Sequence, residues 1–121
     1  PISMAIMQQA IEKMTAEEVE KIQVLLVSVD IDNDNADIVN QYVKRFHQNF
    51  IGLTGTLDEI NHVVDEYGSY YSPTELKDID EGRAFRHSSR FYVINRQGKL
   101  VDAMRHSTTS NELKARLRSL I

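Results

Sequence analysis

Residues 22–55, IQVLLVSVDIDNDNADIVNQYVKRFHQNFIGLTG, decide the fold class of this chain. The stretch opens with a run of apolar and small residues, 24–29, that shows no polar alternation and ends at Asp30. Such a run is typical of a strand that is buried on both faces. A helix-period segment at 36–47 and a second strand at 50–54 follow. The stretch therefore predicts an α/β protein whose sheet is covered by helices on both sides.

The segments on either side of this stretch add three helices. Residues 2–14 place methionines at helical spacing, which favours a core helix over a methionine copper site. Helices at about 57–67 and from about 109 onward follow from apolar periodicity. Three Thr/Glu pairs have the spacing of capping boxes, which mark helix starts: Thr15 with Glu18, Thr56 with Glu59, and Thr109 with Glu112.

A hairpin precedes the last helix. Residues 90–95 and 100–104 read as its strands, with Gly98 suited to a left-handed turn position. Residues 68–86 read as a long loop, which in a compact domain is often functional. The order α, β, α, β, α, loop, β-β, α predicts one thioredoxin-like domain over 1–121. It has a central mixed sheet, but it lacks the N-terminal central strand of that fold.

That absent strand would lie between the strand at 24–29 and the hairpin at 90–104. Strand edges that are left unpaired in a protein interior are costly. We therefore expect the gap to be filled in one of three ways. These are a separate upstream piece, a partner chain, or direct antiparallel pairing of 24–29 with 90–95.

Composition excludes several functions. The net charge of −4 argues against nucleic-acid binding, which usually needs a basic stripe. No run approaches the ~20 apolar residues that span a bilayer. The chain has no cysteine, so these residues hold no thiolate metal site and perform no thiol chemistry. No hydrolase or phosphate-binding motif is present.

Several motifs, in order along the chain, closely resemble the Sco/SenC family of thioredoxin-like copper-handling proteins. The resemblance runs from Pro1 to the end. The motifs are VLLVSVD (24–30), YVKRFHQNFIGLTG (42–55), YGSYY (67–71), RHSSRFYVINRQGKLV (86–101) and RHSTTSNEL (105–113).

The resemblance implies a copper site that is only partly present in this sequence. In the family a Cys-x-x-x-Cys-Pro motif opens the first helix, and Pro1 matches its proline. Two thiolates and a distant histidine bind copper there, and His87 matches that histidine. The chain alone should bind copper weakly or not at all, because one neutral imidazole is a poor and unselective ligand. There are two departures from the family pattern, Arg86 for Asp and Ile31 for Pro. The first should weaken cation binding modestly, and neither excludes copper.

The resemblance also implies a function and a location. The function is copper delivery to the dinuclear copper centre of cytochrome c oxidase, or reduction of the cysteines of that centre. The partner would be the copper-bearing subunit of the oxidase, or another copper or thiol protein. The domain would lie on the periplasmic side of the bacterial inner membrane, held by an N-terminal anchor that these residues do not include. A thiol-disulfide oxidoreductase or redox sensor, and a degenerate protein-binding module, are the alternatives.

Asp30 is the second candidate site residue. It follows a buried strand at its C-terminal end, where open α/β sheets place their sites. It would support the metal loop, or it would only fix its own loop by a hydrogen bond. A calcium loop is not favoured, because Asn35 and Gln41 stand where glycine and glutamate are required. His47 and His62 read as solvated.

Overall fold

A computed structural model describes residues 2–30, 32–68, 90–105 and 107–121. The predicted element order is present. The elements are α1 (Ile2–Glu12), α2 (Ala16–Glu20), β1 (Leu25–Val27), α3 (Ala36–Lys44), β2 (Ile51–Leu53), α4 (Leu57–Gly68), β3 (Phe91–Ile94), β4 (Leu100–Met104) and α5 (Ser110–Arg118).

All three predicted capping boxes form. At each helix start, the threonine hydroxyl accepts the backbone N–H of the glutamate three residues on, and the glutamate carboxylate accepts the threonine N–H. These bonds satisfy donors that the first turn of a helix leaves without partners. Asn35 caps α3 in a simpler way, by accepting the N–H of Ile38 at 2.9 Å.

β1 and β2 form a parallel pair in which Leu26 lies opposite Gly52. Both residues face α3. A Cβ on Gly52 would stand only 2.5 Å from the carbonyl carbon and oxygen of Val39. The strand therefore needs glycine there so that the helix backbone can approach.

β3 and β4 form the predicted antiparallel hairpin, with a register irregularity between Val93 and Ile94. Gly98 has φ of 79°, the left-handed conformation that its position in the turn requires. The Asn95 side chain accepts the backbone N–H of Gln97 and of Lys99, which closes the turn.

Two apolar clusters join the helices to the sheets. The first combines Met4, Ile11, Met14, Val24, Val43 and Phe50. The second combines Ala10, Phe91 and Leu113. Met7 and Leu117 pack against both clusters, so α1 and α5 form a common layer under the two sheets.

α4 lies on the opposite face. Phe91 packs toward α5, and Tyr92 points the other way because side chains alternate along a strand. The ring of Tyr67, near the end of α4, lies 4.9 Å from that of Tyr92. Helices thus lie on both faces of the β3–β4 pair.

The prediction that β1 is buried on both faces is wrong for the described residues. Leu26 packs into the first cluster, but Leu25 and Val27 are 52% and 38% exposed. Leu53, on the same face, is 40% exposed. α4 contacts the hairpin through Tyr67, and the described residues cover Leu25, Val27 and Leu53 only in part.

The predicted central sheet is divided into two separate pairs, β1–β2 and β3–β4, among the described residues. The expected direct pairing of 24–29 with 90–95 does not occur. β1 bonds to β2 on one side and to no other described strand. The position predicted for the absent central strand is therefore unfilled within the described part of the chain.

Three segments named above lie wholly or mostly outside the described residues: the loop predicted at 68–86, of which only Gly68 is described, and the single residues Pro1 and Ile31. Among the helices that are described, none combines the length and the apolar character needed to cross a bilayer.

Candidate functional site

Asp30 fixes the loop that follows β1. Both of its carboxylate oxygens accept the Asn33 side-chain amide at 3.1 Å. Its carbonyl oxygen accepts the backbone N–H of Asp34 at 2.9 Å and that of Asn33 at 3.3 Å. Asp30 itself is exposed. Its contacts are those of the loop-fixing alternative, and its part in a metal site stays a prediction.

Ser28 links this loop to β2. Its hydroxyl donates to Asp34 Oδ2 at 2.5 Å, and its carbonyl oxygen accepts the hydroxyl of Thr54 at 3.2 Å. Sequence reasoning did not single out Ser28 or Thr54. The signal was available, because Ser28 is the one polar residue within the apolar run and Thr54 ends the neighbouring parallel strand.

The start of α4 adjoins the end of β2. The Thr56 backbone N–H, and then its hydroxyl, hold the pKa of Glu59 below its ordinary value. A hydrogen bond from a donor favours the charged carboxylate. The C-terminal ends of β1 and β2 thus bear a polar rim formed by Ser28, Asp30, Asp34, Thr54 and Glu59.

His87, the predicted copper ligand, and Arg86 lie outside the described residues, as does His106. The two described histidines are remote from a metal role. His62 is exposed on α4, with Nε2 3.1 Å from Glu66 Oε1. His47 is less solvated than predicted: it stacks on Phe50 with ring centroids 5.3 Å apart, and its Nδ1 accepts the Asn49 N–H at 3.0 Å.

Two less favoured metal hypotheses gain no support. Met4 and Met14 are 7% and 8% exposed and belong to the first core cluster, which agrees with the core interpretation. Asp34 is bonded to Ser28 and the loop caps α3 through Asn35. Within 2–30, 32–68, 90–105 and 107–121, no three His, Cys, Asp or Glu side chains are grouped as a metal would need.

The donor set in this chain does not by itself suit a soft copper ion. Copper(I) selects thiolate and thioether sulfur together with imidazole. The chain contributes no thiol, and its four thioethers include two that are committed to the core. A selective copper(I) site would therefore need sulfur ligands from outside these residues, and the part of His87 in such a site stays a prediction.

The fold is thioredoxin-like, as comparison with solved structures shows. The solution structure of apo Sco1 from Thermus thermophilus matches the whole chain with a TM-score of 0.80 and 25% identity, over 70% of that protein. The structure of Bradyrhizobium japonicum ScoI with copper bound matches 98% of the chain with a TM-score of 0.73, over 74% of that protein. At 24% identity, the second match shows the fold alone.

The sequence comparison goes further and defines the family. The family model described as SCO1/SenC matches residues 1–121, and the chain belongs to this family. The chain is 38% identical over 85 residues to yeast (Saccharomyces cerevisiae) mitochondrial protein SCO2, and 34% identical over 91 residues to the human mitochondrial SCO1 homologue. A SCO2-like protein of Rickettsia bellii is 33% identical over 81 residues.

The chain corresponds to only part of each of these relatives. The matches cover 69%, 75% and 66% of this chain but 28%, 30% and 40% of the yeast, human and Rickettsia proteins. What a whole protein of this family does is therefore a matter for proposal here.

Proposed function

We propose that this chain is the greater part of a copper-delivery domain that acts in the assembly of cytochrome c oxidase. Copper is the cargo. His87 supplies one ligand, and two thiolates come from a segment that precedes α1 in the complete protein. The proposed recipient is the copper-bearing subunit of the oxidase, on the periplasmic side of a bacterial inner membrane.

The family match over residues 1–121 carries this proposal. The chemistry of the ligands is consistent with it. Two thiolates and an imidazole suit copper(I), and three ligands from two separate segments leave the ion accessible for transfer. The polar rim is also consistent with it, because the rim lies at the C-terminal ends of β1 and β2, the end of the sheet at which open α/β folds place their sites.

Copper titration of two chains tests the proposal. The first chain is 1–121, and the second extends it at the N-terminus with a Cys-x-x-x-Cys segment directly before Pro1. We expect selective copper(I) binding only by the extended chain, because only it provides sulfur ligands. In the extended chain, His87→Ala should weaken copper binding at least about tenfold, because one bond between a ligand and the copper ion is lost.

The matched control is His62→Ala in the same extended chain. His62 is an exposed histidine that pairs with Glu66 on the same helix, so its loss should leave copper affinity unchanged. Equal affinities for the His87 variant and the unaltered extended chain would refute the assignment of His87. If the extended chain reduces a disulfide substrate equally well with and without His87 and binds no copper, the oxidoreductase alternative is the correct one.

A further inference from the structure

Charge is divided unequally along this chain. The described residues of 2–68 include four Lys or Arg and twelve Asp or Glu, which gives a net charge of −8. The described residues of 90–121 include seven Lys or Arg and two Asp or Glu, which gives a net charge of +5. We call the hairpin and α5, which make up most of 90–121, the basic part of the molecule. An extended anionic surface attracts this part and repels the rest, so it would orient the molecule.

Within the basic part, the turn of the hairpin carries two cations that are available to a partner. Arg116 and Arg118 are not available in this way, because each contacts a carboxylate, at 2.9 and 2.7 Å. Arg96 and Lys99 differ from them. Both are exposed, and neither contacts an Asp or Glu among the described residues.

Hydrogen bonds hold the backbone of this turn in one conformation. The Asn95 side-chain oxygen accepts the N–H of Gln97 at 3.0 Å and that of Lys99 at 2.9 Å. The Asn95 backbone N–H donates to Lys99 O at 2.9 Å, and the Asn95 carbonyl accepts the Gly98 N–H at 3.0 Å. The backbone that carries the two cations is therefore ordered in advance, and docking would lose little conformational entropy there.

An exposed apolar side chain lies directly beside the turn. Burial alternates along β3, with Phe91 and Val93 buried and Tyr92 and Ile94 less so. Tyr92 contacts the ring of Tyr67 on α4, whereas Ile94, two residues closer to the turn, is 48% exposed. We call residues 94–99 the hairpin tip. It combines one exposed apolar side chain with two cations on a fixed backbone.

We propose that the hairpin tip is a docking element for an anionic lipid bilayer. Ile94 enters the boundary between the headgroups and the acyl chains, and Arg96 and Lys99 contact lipid phosphates. Apolar and cationic side chains act together in this way at a bilayer surface. This inference goes beyond the proposed copper function and stands whether or not the domain carries copper.

The size of the tip favours lipid over a protein partner. A stable protein interface buries about 800 Å² on each partner and involves about 20–30 residues a side, far more than residues 94–99 supply. A bilayer needs no matching surface, and each cation close to it strengthens binding about fivefold. Binding of this strength is weak. It suits a domain that the rest of its protein keeps close to a membrane, because tethering raises the effective concentration.

Titration of chain 1–121 with two kinds of lipid vesicle tests the proposal. One kind contains phosphatidylcholine alone, and the other contains phosphatidylcholine with phosphatidylglycerol. We expect co-sedimentation with the anionic vesicles only, and added salt should weaken it because salt screens the attraction. On nanodiscs of the same anionic composition, the NMR signals of the Arg96, Gln97 and Lys99 amides should broaden more than that of Asp37 on α3.

Variants of equal charge locate the binding surface. Arg96→Gln combined with Lys99→Gln should weaken binding to the anionic vesicles about 25-fold, at about fivefold for each cation. The matched control is Arg105→Gln combined with Lys114→Gln. It removes two charges from the same basic part, but after the far end of β4 and on α5, and should weaken binding less than about threefold.

The apolar contact has its own test. Ile94→Ser should weaken binding to the anionic vesicles at least about fivefold, because less apolar surface leaves water, whereas Ile94→Leu should retain it. Thermal unfolding verifies that each variant is folded. The two double variants alter exposed or half-exposed side chains and leave the bonds of Asn95 in place.

Three results would overturn the proposal. Equal binding to neutral and anionic vesicles, or binding to neither, would show that the hairpin tip does not recognise anionic lipid. Equal losses in the two double variants would assign the attraction to the net charge of the basic part. Broadening of the same three amides by soluble polyglutamate, without binding to vesicles, would assign the tip to an acidic protein partner.

Discussion

The charge of the residue next to His87 should influence how tightly copper binds there. Arg86 directly precedes His87, the proposed copper ligand, where the family resemblance implies an aspartate. A positive neighbour disfavours a bound cation, whereas a negative one favours it. We therefore expect weaker copper binding with Arg86 than with an aspartate at the same position.

Replacing Arg86 by Asp in the chain extended with a Cys-x-x-x-Cys segment should tighten copper(I) binding about three- to tenfold, or about 1 kcal/mol. Competition with a chromophoric copper chelator measures the change. Lys21→Asp is the matched control, since it makes the same change in charge. Lys21 lies between α2 and β1, at the end of β1 that is remote from Asp30. Equal gains in the two variants would mean that net charge, and not the neighbour of His87, sets the affinity.

The ion pair between Glu18 and Arg118 also has a measurable consequence. Arg118 Nε and Nη2 donate to the two carboxylate oxygens at 2.7 and 2.9 Å. This side-chain bond, and then the Thr15 N–H, lower the pKa of Glu18 from 4.5 to about 2. A lowered folded-state pKa stabilises the fold above the unfolded-state value, and the stabilisation disappears as the pH falls toward the folded-state value.

Arg118→Met should therefore lower the thermal midpoint at pH 6, and the difference from the unaltered chain should shrink between pH 4.5 and about 2. The pair is partly exposed, so salt should reduce the effect. Thermal unfolding followed by circular dichroism across this range is the measurement. Arg96→Met, in the hairpin turn and without an ion-pair partner among described residues, should show no such pH dependence. A difference that persists unchanged at pH 2 would argue against the ion pair as its source.

At the scale of the elements, helix starts were predictable because they depend on residues three apart. The pairs that begin with Thr15, Thr56 and Thr109 all form their capping boxes. Burial was less predictable, because it depends on residues far along the chain. An apolar run such as 24–29 indicates that its side chains can be buried. Whether Leu25 is in fact buried depends on the position of the helix that would cover it.

Only part of the candidate site could likewise be predicted from the sequence. The loop after β1 was predictable from its acids and amides, and it ends at Asn35, which caps α3. The role of Ser28 was not predicted, since its bonds join residues 28, 34 and 54, which only the folded sheet brings together. Copper ligation by His87 came from family resemblance alone and stays a prediction.

The contact between α3 and β2 yields a direct test. In Gly52→Ala, the added methyl group would meet Val39 backbone atoms at 2.5 Å, so α3 must shift. We expect a loss of about 1–3 kcal/mol in the free energy of unfolding, the usual cost of overpacking. Urea unfolding measures it. Gly98→Asn is the control, because asparagine tolerates positive φ and nothing lies within 4 Å of that position. A smaller loss at position 52 than at 98 would contradict the close approach of α3.

At the scale of the whole molecule, the two clusters depend on the α1/α5 layer. Leu113 is fully buried between Ala10 and Phe91, and Leu117 joins the second cluster to the first. Because each sheet has only two described strands, neither supplies a core without these helices. The fold is therefore expected to unfold as one unit.

Leu113→Ala should cost about 2–5 kcal/mol, the range for deleting a buried leucine side chain. Urea unfolding should still show a single transition by fluorescence and circular dichroism, with the midpoint lowered. Leu57→Ala is the matched control, since Leu57 is 59% exposed on α4 and its loss should cost far less. Two separate transitions in the Leu113 variant would show that the clusters are independent.

The bonds that join the two ends of the chain also affect when folding can finish. Lys13 Nζ donates to Ser110 Oγ and Asn111 Oδ1, across 97 and 98 residues of sequence, and Glu18 meets Arg118 across 100. During synthesis, α1 leaves the ribosome long before α5 exists to cover it. The methionine-rich face of α1 must therefore stay uncovered, with its apolar side chains available to chaperones, until α5 has been added. Folding of this domain consequently cannot be completed before α5 has been synthesised.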